Sequence, residues 1–132
     1  MQIKKNVPLM TTNKLGEQKA FYCEHLGFRP TFEGDSFLGL ISKNDTCEIS
    51  FMTPMGCSGS TEDSANVTFC LEVDDVDGEY DRLKGEGVSF IQTPKDNPWG
   101  DRSAIAVDPI GINVYIYKVI PPSPEYAKQF KE

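Results

Sequence analysis

Histidine is almost missing. The 132 residues contain one, His25, and that scarcity removes whole classes of chemistry. A tightly bound divalent ion needs several converging imidazole, thiolate or carboxylate ligands. A Ser-His-Asp or Cys-His set would have to be built on His25 alone. Basic residues are also few: 13 Lys and Arg stand against 20 Asp and Glu, a formal charge of −7. Phosphate backbones need clustered Lys and Arg, so nucleic acid is excluded as a partner. An acidic surface favours a cationic ligand, and it also serves solubility. No apolar run approaches the ~20 residues that span a bilayer. The opening MQIKKNVPLMTT lacks the apolar core of a signal peptide. No membrane partner and a cytoplasmic location are expected.

Cysteine is present but without pattern. Cys23, Cys47, Cys57 and Cys70 show no CxxC or other metal-ligand spacing, and in a reducing compartment they are expected to be free thiols. Cys47 and Cys70 fall in strand-like runs and read as small buried residues, whereas Cys57 lies in a Gly/Ser loop. The run Gly56-Cys57-Ser58-Gly59 lacks the Lys and following helix of a phosphate-binding loop. No cofactor is implied.

What is present is a repeat. Residues 4–10 read as a strand leading to Thr12-Asn13, a helix cap. A helix is expected over 15–25, with Leu15, Tyr22 and Leu26 on one face and Gly27 as its stop. Strands are expected at 29–33, 36–42 and 47–52, separated by Gly34-Asp35 and Lys43-Asn44-Asp45. The second half repeats the order. In residues 66–73, Val67, Phe69, Leu71 and Val73 alternate with Thr68, Cys70 and Glu72. Asp74 or Asp75 caps a helix running to about residue 86, with Val76, Tyr80 and Leu83 on its apolar face and Gly87 after it. Strands at 88–92, 102–107 and 113–118 complete it, the last two joined by a tight turn at Asp108-Pro109-Ile110-Gly111. The result is an α+β chain of duplicated βαβββ modules in one domain, at about residues 4–53 and 66–118. A Gly/Ser/Thr-rich linker at 54–65 joins them. The tail at 119–132 is either a loose extension or an arm that packs on a partner.

Four segments carry a resemblance. They are Lys19-Ala20-Phe21-Tyr22 with His25-Leu26-Gly27-Phe28, Glu72-Val73-Asp74-Asp75-Val76-Asp77, Pro98-Trp99-Gly100-Asp101-Arg102, and Asp108-Pro109-x-Gly111. Together and in this order they resemble the vicinal oxygen chelate superfamily, which includes glyoxalases, bleomycin resistance proteins and extradiol dioxygenases. The resemblance covers about residues 4–118. It implies curved mixed sheets around a cavity, and a homodimer. In metal-dependent members the ligands come from the first and last strand of each module. Those positions fall here on Val7, on Glu48 or Ser50, on Thr68 and on Tyr115, none of which matches the metal motif, so no metal ligand is carried over.

The resemblance therefore implies the metal-free branch, whose members bind small molecules and include proteins that sequester bleomycin-type antibiotics. A flat heteroaromatic ligand needs aromatic faces, and a cationic tail needs carboxylates or π-faces. The candidate ligand-binding residues are Trp99, Asp101, Tyr115, Phe51, Glu48 and Phe37. Trp99 reads equally as a cavity wall or a core plug. Asp101 faces a cation, or is an exposed loop charge or an ion pair with Arg102. Phe37, Phe51, Phe69 and Phe90 line either the cavity or the helix-packed face. An inward Glu48 needs a partner or a raised pKa. The same superfamily contains metal-dependent lyases, isomerases and dioxygenases, which stand as the alternative. A third reading makes the dimer surface or the Pro-rich tail the functional part.

Overall fold

A computed structural model describes residues 1–54, 63 and 66–131. The chain is α+β, and it divides into two compact units, Met1–Asn66 and Val67–Glu132, each holding one βαβββ module. Most of the expected linker, with Cys57, lies outside the described residues.

The first unit contains β1 (Leu9–Thr11), α1 (Leu15–Ala20), β2 (Arg29–Glu33), β3 (Phe37–Ile41) and β4 (Glu48–Met52). The sheet order is β1-β4-β3-β2, with β1 parallel to β4 and the other pairs antiparallel. Alternation along each strand sends Met10, Leu38, Leu40, Ile49 and Phe51 into the core. Leu38 sits opposite Phe51 and Leu40 opposite Ile49. Two expected elements differ. The first strand is shorter than 4–10 and starts after Pro8, which has no N–H to give to a ladder. The helix expected over 15–25 is α-helical only to Ala20, and Phe21–His25 form a wider π-turn. Leu26 N and Phe28 N both donate to the Tyr22 carbonyl, at 3.2 and 3.0 Å. The neighbours Phe21 and Tyr22 both end buried, ring to ring at 5.1 Å.

The second unit contains β5 (Thr68–Glu72), α2 (Val76–Gly85), β6 (Ser89–Asn97), β7 (Asp101–Val107), β8 (Asn113–Val119) and the short α3 (Pro124–Ala127). Its sheet order is β5-β8-β7-β6, with β5 parallel to β8. Of the two candidate caps, Asp75 is the one used: its carboxylate accepts from Gly78 N at 3.0 Å. Val76 and Leu83 bury the inner face of α2, each contributing about 1.5–3 kcal/mol. Gly87, with φ +91°, closes the helix. β6 runs five residues past the expected end at 92. Pro94 is tolerated there because β6 is an edge strand and its register slips between Gln92 and Lys95. That extension carries Asn97 opposite Asp101.

Cys70 corrects an expectation. It is exposed rather than buried, because Phe69 and Leu71 take the helix side of β5 and turn Cys70 to the other face. Cys47 is half-buried.

Arg102 ties α2 to the sheet. Its guanidinium grips Asp77 with two bonds of 2.8 Å and reaches Asp96 at 3.0 Å. The Arg102 hydrogen bond holds the Asp77 carboxyl below the usual carboxylate range. A depressed folded-state pKa gives stability that is present above the unfolded value, about pH 4, and is lost as pH falls through the folded value. Melting temperatures of the wild type and Asp77→Asn should therefore differ above about pH 4 and merge below it. An offset that is constant with pH would contradict this.

Candidate functional site

The second sheet has two chemically different faces. Ala104, Ala106, Val114 and Ile116 pack on the α2 side. Asp101, Ser103 and Ile105 of β7, with Tyr115, Tyr117 and Val119 of β8, project from the opposite face by strand alternation. Register places Asp101 against Val119, Ser103 against Tyr117 and Ile105 against Tyr115. The β7–β8 turn sets this register. Asp108 Oδ1 accepts from Ile110 N and Ile112 N at 3.0 and 2.9 Å, and Gly111 takes φ +93°.

On that face a chain of hydrogen bonds ends on Asp101. The Tyr115 hydroxyl donates to Asp101 Oδ2 at 2.8 Å. Asn97 Nδ2 donates to Asp101 Oδ1 at 2.7 Å and to Ser103 Oγ at 2.9 Å. Gln92 Nε2 donates to Ser103 Oγ and to its carbonyl, both at 3.0 Å. Asn97 and Ser103 are 5% and 0% exposed, so the shell behind Asp101 is dry. The result is a carboxylate aimed by two side-chain donors while it keeps acceptor capacity. Burial raises the Tyr115 phenol above its ordinary pKa. The Asp101 bond adds to the rise, and bonds with Ser103 and the Trp99 indole oppose it. Tyr115 is thus held as a neutral donor.

Trp99 and Gly100 form the turn leading into β7. Gly100 has φ +111°, and a Cβ there would lie 3.2 Å from both the Ile120 carbonyl and Pro122, so only glycine lets the tail lie this close. The tail is pinned by Ile120 N to Gly100 O at 2.9 Å and Ser123 N to Pro98 O at 2.8 Å. α3 then brings the Tyr126 ring within 6.3 Å of Trp99. Between turn and tail lies a mainly apolar cleft of about 360 Å³, lined by Trp99, Asp101, Tyr117, Ile120, Pro122 and Phe130. Trp99 is 44% exposed at its wall, which rules out a core plug. Arg102 projects toward α2 and pairs with Asp77 and Asp96, so it does not neutralise Asp101.

The structure brings Trp99, Asp101 and Tyr115 together. The other three candidates lie on the first unit's sheet. Phe51 must be corrected: its ring is 0% exposed and sits 5.8 Å from Tyr22 in the core, so it offers a ligand no surface. Phe90 likewise meets Tyr80 of α2 at 4.7 Å. Phe37 is exposed, edge-on to Phe32 at 5.7 Å. Glu48 and Ser50 share one face, two residues apart, and both are engaged. Lys5 reaches Glu48 at 2.8 Å, and the Ser50 hydroxyl donates to the Pro8 carbonyl at 2.9 Å.

These side chains do not make a donor set for a divalent ion. Val7 has no donor atom, Thr68 offers a neutral hydroxyl, and Tyr115 is committed to Asp101. Among the described residues no three His, Cys, Asp or Glu converge. His25 lies edge-on to Phe21 at 5.6 Å. Asn97, Ser103, Gln92, Tyr117 and Phe130 were not singled out by sequence. The period-2 pattern of 101–105 and 115–119 is the signal that would have placed Ser103 and Tyr117.

Residues 6–116 match the sequence profile of the Glyoxalase/Bleomycin resistance protein/Dioxygenase superfamily. The chain belongs to this superfamily. A solved member from Nocardioides superposes with a TM-score of 0.77 at 19% identity, over 94% of this chain and 89% of that one. A bleomycin-binding protein solved with bleomycin superposes with a TM-score of 0.67 at 22% identity, over 88% of this chain and 98% of that one. At these identities the likeness carries the fold. An uncharacterised protein of Mycobacterium bovis is 35% identical over 60 residues, 46% of this chain and 36% of the relative. The match thus spans about a third of that relative's length. No helix among the described residues is long and apolar enough to cross a membrane.

Proposed function

We propose that this superfamily member is a metal-free small-molecule-binding protein that sequesters a cationic aromatic antibiotic on the face of its second sheet opposite α2. One observation carries the reading. Asp101 is fixed by Tyr115 and Asn97 beside the half-exposed Trp99, at a mainly apolar cleft. A carboxylate held by buried partners attracts a cation with little reorganisation, and the indole supplies a face for stacking. The formal charge of −7 adds long-range attraction for the same ligand class. The bleomycin-bound relative has this fold with a ligand of that chemistry.

The test is a thermal-shift screen of metal-stripped protein against divalent metals, bleomycin-type glycopeptides and other cationic aromatic antibiotics. A ligand at a hundredfold its Kd adds about 2.7 kcal/mol to folding, which raises Tm by about 10 °C for a domain of this size. Such a shift is expected with a cationic aromatic and not with metals. A shift with a metal alone would overturn the reading.

A further inference from the structure

We propose that the cleft beneath the C-terminal tail is a subsite for an N-alkylated ammonium group, with the tail itself supplying one wall. The inference rests on the cationic-ligand reading above and gives the cation its chemical form.

The lining is specific in kind. Three aromatic residues, Trp99, Tyr117 and Phe130, come from the β6–β7 turn, from β8 and from the tail. The apolar remainder includes Ile120 and Pro122, and the one charge is Asp101. A primary ammonium keeps a tight water shell and needs several acceptors, which this lining lacks. An alkylated ammonium has an apolar surface and a diffuse positive charge. It is recognised by π-faces with a carboxylate nearby. A volume of about 360 Å³ admits such a head group together with the first atoms of its chain. Among the described residues no salt bridge reaches Asp101, since the arginine next to it turns to Asp77 and Asp96, so its charge faces the cleft uncompensated.

The tail is held in register rather than resting there. Its two backbone hydrogen bonds to Gly100 and Pro98 fix Ile120 and Ser123, and glycine at position 100 is what permits the approach. Phe130, 65% exposed, contributes little to folding, so its place at the cleft can be tested without loss of structure.

The chain has a single tryptophan, which makes Trp99 fluorescence and its indole N–H resonance direct reporters of this cleft. The experiment titrates the full chain with choline and with its uncharged isostere 3,3-dimethylbutan-1-ol. Saturable change with choline, and at least about tenfold weaker response to the isostere, is expected for an aromatic–carboxylate cage. Phe130→Ala and Phe130→Leu should both weaken choline binding several-fold, because leucine keeps the bulk and loses the π-face. Equal response to choline and isostere, or an unchanged affinity in both variants, would overturn the subsite. If cationic aromatics bind while choline does not, the subsite alone falls; if neither binds, the broader reading falls with it.

Discussion

Phe51→Ala is expected to lower the unfolding free energy by about 3–5 kcal/mol, the range for emptying a fully buried aromatic position. The ring is 0% exposed, faces Leu38 across the strand pair and lies 5.8 Å from Tyr22. Tyr22 in turn packs on Phe21 and Phe28, at 5.1 and 5.5 Å. These rings form one cluster, and a cavity at Phe51 cannot collapse without moving β4 off the π-turn at Phe21–His25. Ligand affinity per folded molecule should not change, because Phe51 lies on the helix side of its sheet. Urea denaturation checks the first statement, and titration well below the variant's melting temperature checks the second. A loss under 1 kcal/mol, or a marked loss of affinity in folded protein, would contradict this placement.

Asp101→Ala should act in the opposite sense, with a large effect on binding and a moderate one on folding. Removing the carboxylate takes away the charged acceptor that faces the cleft. A hydrogen bond to a charged group contributes about 1.5–3 kcal/mol, or roughly 10–100-fold in Kd. The variant also strands donors on Asn97 and Tyr115. An unsatisfied buried donor costs about 1–3 kcal/mol, and Asn97 retains Ser103 as a second acceptor, so a stability loss near the lower end is expected. Asp101→Asn separates the effects: the amide oxygen can still accept from one of the two donors, while the charge is gone. Stability should largely return and affinity should not. Calorimetric titration beside thermal melts of both variants reads the split. Recovery of binding in Asp101→Asn would show that charge is not what the ligand meets.

The modular plan was legible because hydrophobic period and glycine placement agree locally. In β5 the alternation of Phe69 and Leu71 with Thr68, Cys70 and Glu72 states both faces of the strand. Asp75, Gly27 and Gly87 mark helix ends for stereochemical reasons, and the positive φ angles of +74° and +91° at the glycines follow. Trp99 and Asp101 could be chosen because they sit in a motif segment, and Tyr115 because it falls at one of the ligand positions that the family resemblance marks. Other features depend on partners far along the chain. Pro94 argues against a strand until β6 is known to be an edge with a slipped register. Phe51 and Phe37 lie in similar apolar runs, and only the pairing of β3 with β4 and the packing of α1 decide that one is core and the other exposed. The polar chain from Gln92 through Ser103 and Asn97 to Asp101 joins residues 92 to 115, and it exists only once β6, β7 and β8 are aligned. The tail gave no periodic signal. Its placement follows from two backbone bonds and one glycine.

The most direct measurement is a calorimetric titration of the metal-stripped chain with a bleomycin-type glycopeptide in the presence of a strong chelator, with Trp99 fluorescence followed on the same samples. Saturable one-to-one binding with a matching change in Trp99 emission, both weakened in Asp101→Ala, is the predicted result. Binding that appears only when a divalent ion is restored, with Trp99 emission unchanged, would contradict a metal-free ligand site built on Asp101.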